Sequence, residues 1–300
     1  MAKSVALAFV LALPWAGPAS ATQTEISEAE ILVTGETPRE AQRQAVAYVK
    51  ELGVATGEKP TARWFSPICP RAVGLDQAKT ALVESAVRDI ARRAGAPLAK
   101  EGCKGNLIVA FTDDGAGLAR QIASKSALGT AHPTVVRELR QGVAPVRWWY
   151  NISARPKDAG GTSPDVPPGM EIDVGGTKAQ VPNGAQMAAV SNSSHISTQI
   201  VQSIDSATVI VDVRLAEGAK LKAVSDYAAL VSLAEVKLGA APPKSVLGLF
   251  TQDRSLAGLT PRDEAFLGAL YRVSMDRRSD QQRRSIVANM VRSKEKSASN

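Results

Sequence analysis

Residues 106–112 read Asn-Leu-Ile-Val-Ala-Phe-Thr, and this continuous apolar run is the clearest indication of the fold. A run of this length without alternating polar residues is typical of a strand that is covered on both faces. A short helix is predicted after it, and a long helical repeat precedes it, with Asp76 as N-cap and Gly95 as stop. The order of strand, helix, strand and helix predicts an α+β fold, a mixed α/β layer in which helices cover a single sheet.

The second half of the chain extends this pattern. Residues 146–150 (Val-Arg-Trp-Trp-Tyr), about 195–204 and 207–213 are predicted strands, the first two as partners in one sheet. A largely apolar segment, 221–237, predicts a deeply buried helix. Capping patterns at Thr260 and at Ser279 then predict a C-terminal pair of helices.

Residues 154–185 interrupt the regular pattern, because Pro, Gly, Asp and Ser are dense there and no apolar period is visible. So long a loop favours a flexible insertion, with a lid or an interdomain linker as alternatives. The predicted organisation is therefore a single mature domain over 22–292 that contains this insertion. Residues 293–300 are a predicted basic, disordered tail.

The first 21 residues are typical of a signal peptide. Lys3 precedes an apolar run over 5–13, which Pro14 and the small residues ending at Ala21 follow. Because a bilayer span needs roughly 20 apolar residues, we expect cleavage near Ala21 rather than a retained anchor. The mature chain is then predicted to be periplasmic or secreted, without a transmembrane segment.

The cysteines fit this location. Cys69 and Cys103 are the only two in the chain, and in an oxidising compartment such a pair predicts a disulfide. Closing a loop of about 35 residues would stabilise the fold by roughly 3.8 kcal/mol on the chain-entropy model. A metal-binding or redox pair is the alternative, but the C-x-x-C spacing is missing.

Charge is unevenly distributed. The formal net charge is +7, and nine Lys and Arg residues lie in the last forty positions. This is typical of a solvated helix face, and it would also attract an anionic membrane surface or a cell-wall polymer. Nucleic acid is not an expected partner, because no aromatic residues interleave with these late charges.

Catalytic motifs are sparse. With only His132 and His195, a multi-His metal site is excluded, and neither phosphate-loop nor dinucleotide motif is present, so no metal or cofactor is predicted. His195 lies in a Ser-rich stretch, where a Ser/His pair with Asp205 or Asp212 would make a nucleophilic triad. No Gly-x-Ser-x-Gly elbow accompanies it.

Three acids are weak catalytic candidates. Asp113 and Asp114 could ligate a cation, but they are more simply turn and helix-start residues. Glu235 is the best candidate for a carboxyl group with a perturbed pKa, and a satisfied or partly exposed glutamate is the alternative.

Aromatic residues supply the candidate binding surface. Trp148, Trp149 and Tyr150 are consecutive in a chain that is only 4% aromatic. Such a run in an exported protein can be a platform for peptides or sugars. It is more often part of a strand that lies half in the core and half at the surface.

Six segments together carry a resemblance over nearly the whole predicted mature chain: 63–70, 102–107, 145–150, 206–213, 245–250 and 258–260. They are similar to a family of exported alphaproteobacterial proteins of unknown function, so the resemblance indicates neither a particular activity nor particular catalytic residues. The order of elements also resembles zinc-peptidase-like folds. In that resemblance the helix over 222–237 stands where zinc-binding histidines belong, and its lack of histidine implies a degenerate relative without metal ligands.

Two hypotheses about function follow. The first is a non-catalytic binding or envelope-associated protein whose peptide or glycan ligand lies between the aromatic strand and the Gly/Pro-rich loop. The second is a hydrolase of peptidase or cell-wall type that uses His195, Asp113, Asp114 or Glu235. Convergence of these residues with Trp148 on one pocket would favour the enzyme.

Overall fold

A mixed sheet of five strands is the centre of the computed structural model, which describes residues 37–57, 59–125, 133–156, 169–182 and 200–298. Two further strands pair with each other as an antiparallel hairpin. The strands are β1 (Arg63–Trp64), β2 (Pro70–Val73), β3 (Leu107–Thr112), β4 (Val146–Pro156), β5 (Met170–Val174), β6 (Thr177–Val181) and β7 (Ile200–Asp212). The hairpin is β5–β6, and the other five strands form the main sheet.

Strand β7 organises the sheet, because it pairs along both of its edges. On one edge β1 and then β3 pair with it in parallel, and β2 pairs in parallel with β3. On the other edge β4 runs antiparallel to β7 along its whole length. The aromatic strand and the Ser/Thr-rich strand therefore lie in one sheet, as predicted, although residues 146–150 pair with 207–211 and residues 200–204 pair with 152–156.

A β-bulge joins what the sequence indicated as two separate strands before and after residue 205. Asn151 of β4 lies opposite Ser206, whereas Ile152 lies opposite Ile204, so Asp205 is the extra residue of β7. A bulge lets a strand bend without ending, so the pairing continues through this position.

The described residues form seven α-helices, and capping residues mark the ends of several of these. The helices are α1 (Pro38–Leu52), α2 (Gln77–Ala94), α3 (Gly115–Lys125), α4 (Pro133–Gln141), α5 (Leu221–Leu233), α6 (Pro261–Arg272) and α7 (Ser279–Ala298). Asp76 accepts a hydrogen bond from the Lys79 backbone N–H at the start of α2, and Gly95 ends that helix in the left-handed conformation.

Helices cover both faces of the sheet, which explains the uninterrupted apolar run of β3. Val109 and Trp148 face the larger core, beneath α1, α2, α5, α6 and α7. Ala110 and Trp149 face a smaller core, which α3, α4 and the hairpin close. The predicted fold class, α+β with helices packed on a sheet, is confirmed.

Three boundaries differ from the sequence analysis. The segment predicted as an insertion, 154–185, contains the end of β4 and the β5–β6 hairpin. The helix predicted over 221–237 ends at Leu233. Residues 293–298, predicted as part of a disordered tail, continue α7 as a helix.

The cysteine prediction is confirmed at the level of geometry. Cys69 and Cys103 lie at disulfide bonding distance, with their Cα atoms 6.0 Å apart. Among the helices of the described ranges, none is long and apolar enough to cross a bilayer. The predicted signal peptide, 1–21, lies outside the described residues.

Candidate functional site: a groove along strand β4

A groove of about 240 Å³ runs beside β4, and we call it the β4 groove. Its lining comes from β4, from the segment after α5, from α4 and from the turn after α1. The lining residues are Gly53, Val135, Trp148, Trp149, Tyr150, Ile152, Glu235, Val236, Lys237 and Leu238. Consecutive residues of a strand point to opposite faces, so a groove that touches Trp148, Trp149 and Tyr150 must lie along the strand's edge.

The edge of β4 that faces this groove has no strand partner among the described residues, where β4 pairs with β7 alone. Backbone N–H and C=O groups on the outer side of such a strand are free to pair with another extended chain. The stretch of this edge from Trp148 to Ile152 borders the groove. Five residues of extended chain span about 17 Å, which is enough for a short peptide.

The two tryptophans border the groove with their edges only, since each residue is 3% exposed. Trp148 lies in the larger core, where its Nε1 donates to the Val236 carbonyl at 3.0 Å and its ring meets Tyr227 edge-on. Trp149 lies in the smaller core. Burial on opposite faces leaves neither ring with a flat face exposed for stacking, which supports the alternative interpretation, a strand with side chains in the core.

Tyr150 fixes one wall of the groove. Its hydroxyl hydrogen is shared between the carbonyls of Val231 and Ala234, the latter at 2.8 Å, and its Oη accepts from the Val236 N–H at 3.1 Å. Burial raises the pKa of Tyr150 well above its usual value. The hydroxyl thus satisfies carbonyls at the end of α5 and holds the following segment against β4.

Glu235 is the one acid among the residues that line the groove. It lies in the segment after α5 rather than inside the predicted helix, because Ala234 already has an extended backbone. Its Oε2 accepts from the Ala62 N–H at 2.9 Å, and burial raises its pKa. The raised pKa agrees with the expectation from the sequence that the carboxyl group of Glu235 is perturbed. Glycoside hydrolysis, however, uses two carboxyl groups, and the residues that line this groove include only one.

Lys237 stands on the exposed rim of the groove. Its Nζ lies 3.4 Å from Glu51 Oε1, and its backbone N–H donates to the Leu52 carbonyl at 2.9 Å. The backbone bond attaches this wall to the end of α1.

Asp113 and Asp114 lie at the end of β3 and do not line the β4 groove. Both are exposed, and Asp114 Oδ1 accepts from the Gly117 N–H at 2.7 Å, which caps α3. The structure therefore supports a helix-start role for Asp114. It brings Glu235 and Trp148 together but leaves Asp113 elsewhere, and His195 lies outside the described residues.

Comparison with known proteins adds no relative. No protein-family model, no curated protein and no solved structure matches this chain. Within the described ranges, no cluster of three or more His, Cys, Asp or Glu side chains is placed to hold a metal ion. Function therefore has to be inferred from the groove's own residues.

A cluster of buried polar residues at the bulge of β7 was not predicted from the sequence. Asp205 is 1% exposed, and its Oδ1 accepts from Arg155 Nη2 at 2.5 Å. Asn151, also buried, donates to Ser206 Oγ at 2.6 Å and to the Pro182 carbonyl. The sequence contains two signals for this cluster. They are Asp205 in an otherwise apolar strand and Arg155 near the end of the strand predicted to lie in the same sheet.

A second buried acid, Asp226, was also missed, although it interrupts the apolar stretch of α5. Its Oδ2 accepts from Lys222 Nζ at 2.7 Å and from the Leu259 N–H at 2.9 Å. These bonds attach the segment before α6 to α5, so the role of Asp226 is structural.

Proposed function

We propose that this chain is an exported, non-catalytic binding protein, periplasmic or secreted, that holds an extended polypeptide segment along the edge of β4. The observation that carries the proposal is that Trp148, Trp149, Tyr150 and Ile152, from both sheet faces, line one groove at an edge without a strand partner in the described part.

Strand addition suits this groove physically. Backbone hydrogen bonds to the free edge supply affinity, and pockets on either side of the edge select alternate side chains of the ligand. Here Val135 packs toward the smaller core, and Val236 belongs to the larger one. The ligand of best fit is therefore an extended segment with apolar side chains directed to both sides.

A glycan is a poorer fit than a peptide. Sugar rings bind proteins by stacking on exposed aromatic faces. The faces of Trp148 and Trp149 are inside the two cores.

Export rests on two supporting features. Residues 1–21 have the sequence pattern of a signal peptide, and Cys69 and Cys103 lie at disulfide bonding distance. Expression of the full chain in a bacterium checks this step, because the periplasmic product should begin at Thr22 by mass spectrometry. An unprocessed product confined to the cytoplasm would contradict export without bearing on the groove.

Peptide binding is tested by filling the groove. A phage-displayed library of random peptides is selected on the purified chain, and the affinities of the selected peptides are measured by fluorescence anisotropy. Val135→Trp should weaken binding at least tenfold, because an indole would occupy the space beside the edge. Replacing both native tryptophans is a poorer test, since both lie in the core.

Val143→Trp is the matched control. It introduces the same side chain at a position that is 85% exposed and does not line the groove. Binding by this variant should equal that of the parent. No selected peptide, or equal affinity for the parent and Val135→Trp, would overturn the proposal.

The second candidate is a hydrolase of peptidase or cell-wall type, which the raised pKa of Glu235 beside the groove favours. Peptide-library and peptidoglycan digestion should then show turnover that Glu235→Gln abolishes. Binding of peptides without turnover separates the first candidate from this one.

A further inference from the structure

A second groove, of about 450 Å³, lies between the end of α6 and α7 and is lined by arginines. We call it the arginine groove. Its lining is Arg272, Val273, Ser274, Arg284, Ser285, Ala288, Asn289 and Arg292. It shares no residue with the β4 groove, so it is a separate candidate site.

The three arginines of the groove come from two helices. Arg284 and Arg292 lie eight residues apart on one side of α7, which is about 12 Å along the helix axis. Arg272, in the last turn of α6, lines the same groove. A ligand that meets all three must carry several negative charges along its length.

Positive charge in the groove is only partly compensated. Asp280 pairs with Arg284 at 2.6 Å, but it also lies 3.8 Å from Arg278, so two guanidiniums share one carboxylate. Arg292 donates to the neutral side chain of Asn289. No acid lines the groove, but Ser274 on its lining donates to the buried carboxylate of Asp276.

Two of the three arginines, Arg272 and Arg284, also have structural roles in their helices. Arg272 in the last turn of α6 interacts favourably with the helix dipole, and the Arg284–Asp280 pair stabilises α7 slightly. These roles do not require that three guanidiniums border one concavity. Guanidinium groups bind phosphate oxygens in a bidentate manner, and the groove adds Ser and Asn side chains as further hydrogen-bonding groups.

We propose that the arginine groove binds a linear, phosphate-bearing polyanion. The arginines come from two helices and border one shallow depression, so a chain of linked phosphates can contact them together. No aromatic side chain lines it, so it has no stacking surface on which to select nucleobases. Recognition is through charge and through the spacing of phosphates.

Linear polyphosphate is the probe, measured against the purified full chain by isothermal titration calorimetry at several salt concentrations. The parent should bind it, and affinity should fall as salt rises, because counterions are released on binding. The triple variant Arg272→Gln, Arg284→Gln and Arg292→Gln should bind at least tenfold more weakly and with a smaller salt dependence.

The control is a triple variant with the same change of net charge, Arg39→Gln, Arg43→Gln and Arg277→Gln. All three positions are exposed and lie outside the arginine groove. This control should bind within about twofold of the parent, and circular dichroism should show both triples folded.

Three outcomes would overturn the proposal: no binding by the parent, equal loss in the two triples, or retention on phosphatidylglycerol vesicles without affinity for polyphosphate. The last would assign the arginines to a membrane surface. Orthophosphate alone should bind far more weakly than the polymer, since it meets one guanidinium at a time.

Discussion

Tyr48 on α1 donates a 2.5 Å hydrogen bond to Asp263 on α6, although 215 positions separate them in sequence. Asp263 is fully buried and also accepts from the Ser245 hydroxyl, the Val246 N–H and both the N–H and hydroxyl of Thr260. One carboxylate thus joins α1, the segment before α6 and the start of α6.

Asp263→Ala should destabilise the fold by about 3–5 kcal/mol, because buried donors lose their common acceptor. Urea unfolding followed by circular dichroism measures the change. Glu264→Ala is the neighbouring control, since its pair with Arg93 is about half exposed on both sides, and it should cost about 1 kcal/mol or less. Equal losses in the two variants would contradict the role assigned to Asp263.

The Cys69–Cys103 pair should contribute substantially to stability. Replacing both residues with Ala should lower the free energy of unfolding by about 3.8 kcal/mol, the chain-entropy value for a separation of 34 residues. Unfolding in urea with and without a reductant measures this effect. The reductant should destabilise the parent and leave the double variant unchanged; a parent that is insensitive to reductant would argue against the bond.

Local signals in the sequence were sufficient to predict most of the helices. The side chain of Asp76 caps α2, and Thr260 and Asp263 form the capping box of α6, as their spacing indicates. Such contacts involve residues three apart, so the sequence contains both partners. The sequence also placed the aromatic strand and the Ser/Thr-rich strand in one sheet, but the residues that pair with 146–150 are 207–211, from the next predicted strand.

The hydrogen bonds and the burial that were not predicted from the sequence involve residues far apart in the chain. Ser279 and Gln282 match a capping box, but Ser279 donates to the Gly57 carbonyl, and Gln282 accepts from the Thr61 N–H. Tyr150 binds carbonyls at the end of α5 more than eighty residues away. The burial of Trp148 and Trp149 depends on helices that cover both faces, which no local pattern around them records.

Gly74, directly after β2, should not tolerate a side chain. Its φ is +86°, and an added Cβ would lie 1.9 Å from the Phe111 carbonyl oxygen and 2.8 Å from Val174 Cγ1. Gly74→Ala should therefore cost about 3 kcal/mol or more, from backbone strain and overpacking together. Gly57→Ala separates the two causes, because its φ is +70° with open space around it, and it should cost about 1–2 kcal/mol. Thermal unfolding of both variants measures the difference.

Glu235 should make stability fall as the pH rises from acid toward neutral. Burial raises its pKa in the folded chain, so the unfolded chain loses the proton first as the pH increases above about 4.3. Glu235→Gln keeps an acceptor for the Ala62 N–H and removes the titration. Relative to the parent, this variant should gain stability between about pH 4 and pH 7 in urea unfolding. A difference that is constant over this range would show that burial does not perturb the group.

The tyrosines should make the fold sensitive to alkali. The pKa values of Tyr48, Tyr150, Tyr227 and Tyr271, which are all the tyrosines of the chain, are raised, with burial as the largest cause. In the unfolded chain the pKa of tyrosine is about 10. Below this pH the buried hydroxyl groups contribute their full stability to the fold, and the contribution is lost as the pH rises above it. Ultraviolet absorbance of tyrosinate should therefore appear only together with loss of the circular dichroism signal.

Tyr227→Phe isolates one of these groups. The ring contacts with Trp148 and Phe250 remain, while the ionisable hydroxyl is removed. Stability at neutral pH should change little, and the midpoint of alkaline unfolding should move to higher pH, because one fewer buried hydroxyl ionises on unfolding. Tyrosinate absorbance at native circular dichroism, or an unchanged midpoint in this variant, would show that ionisation of these side chains does not oppose folding.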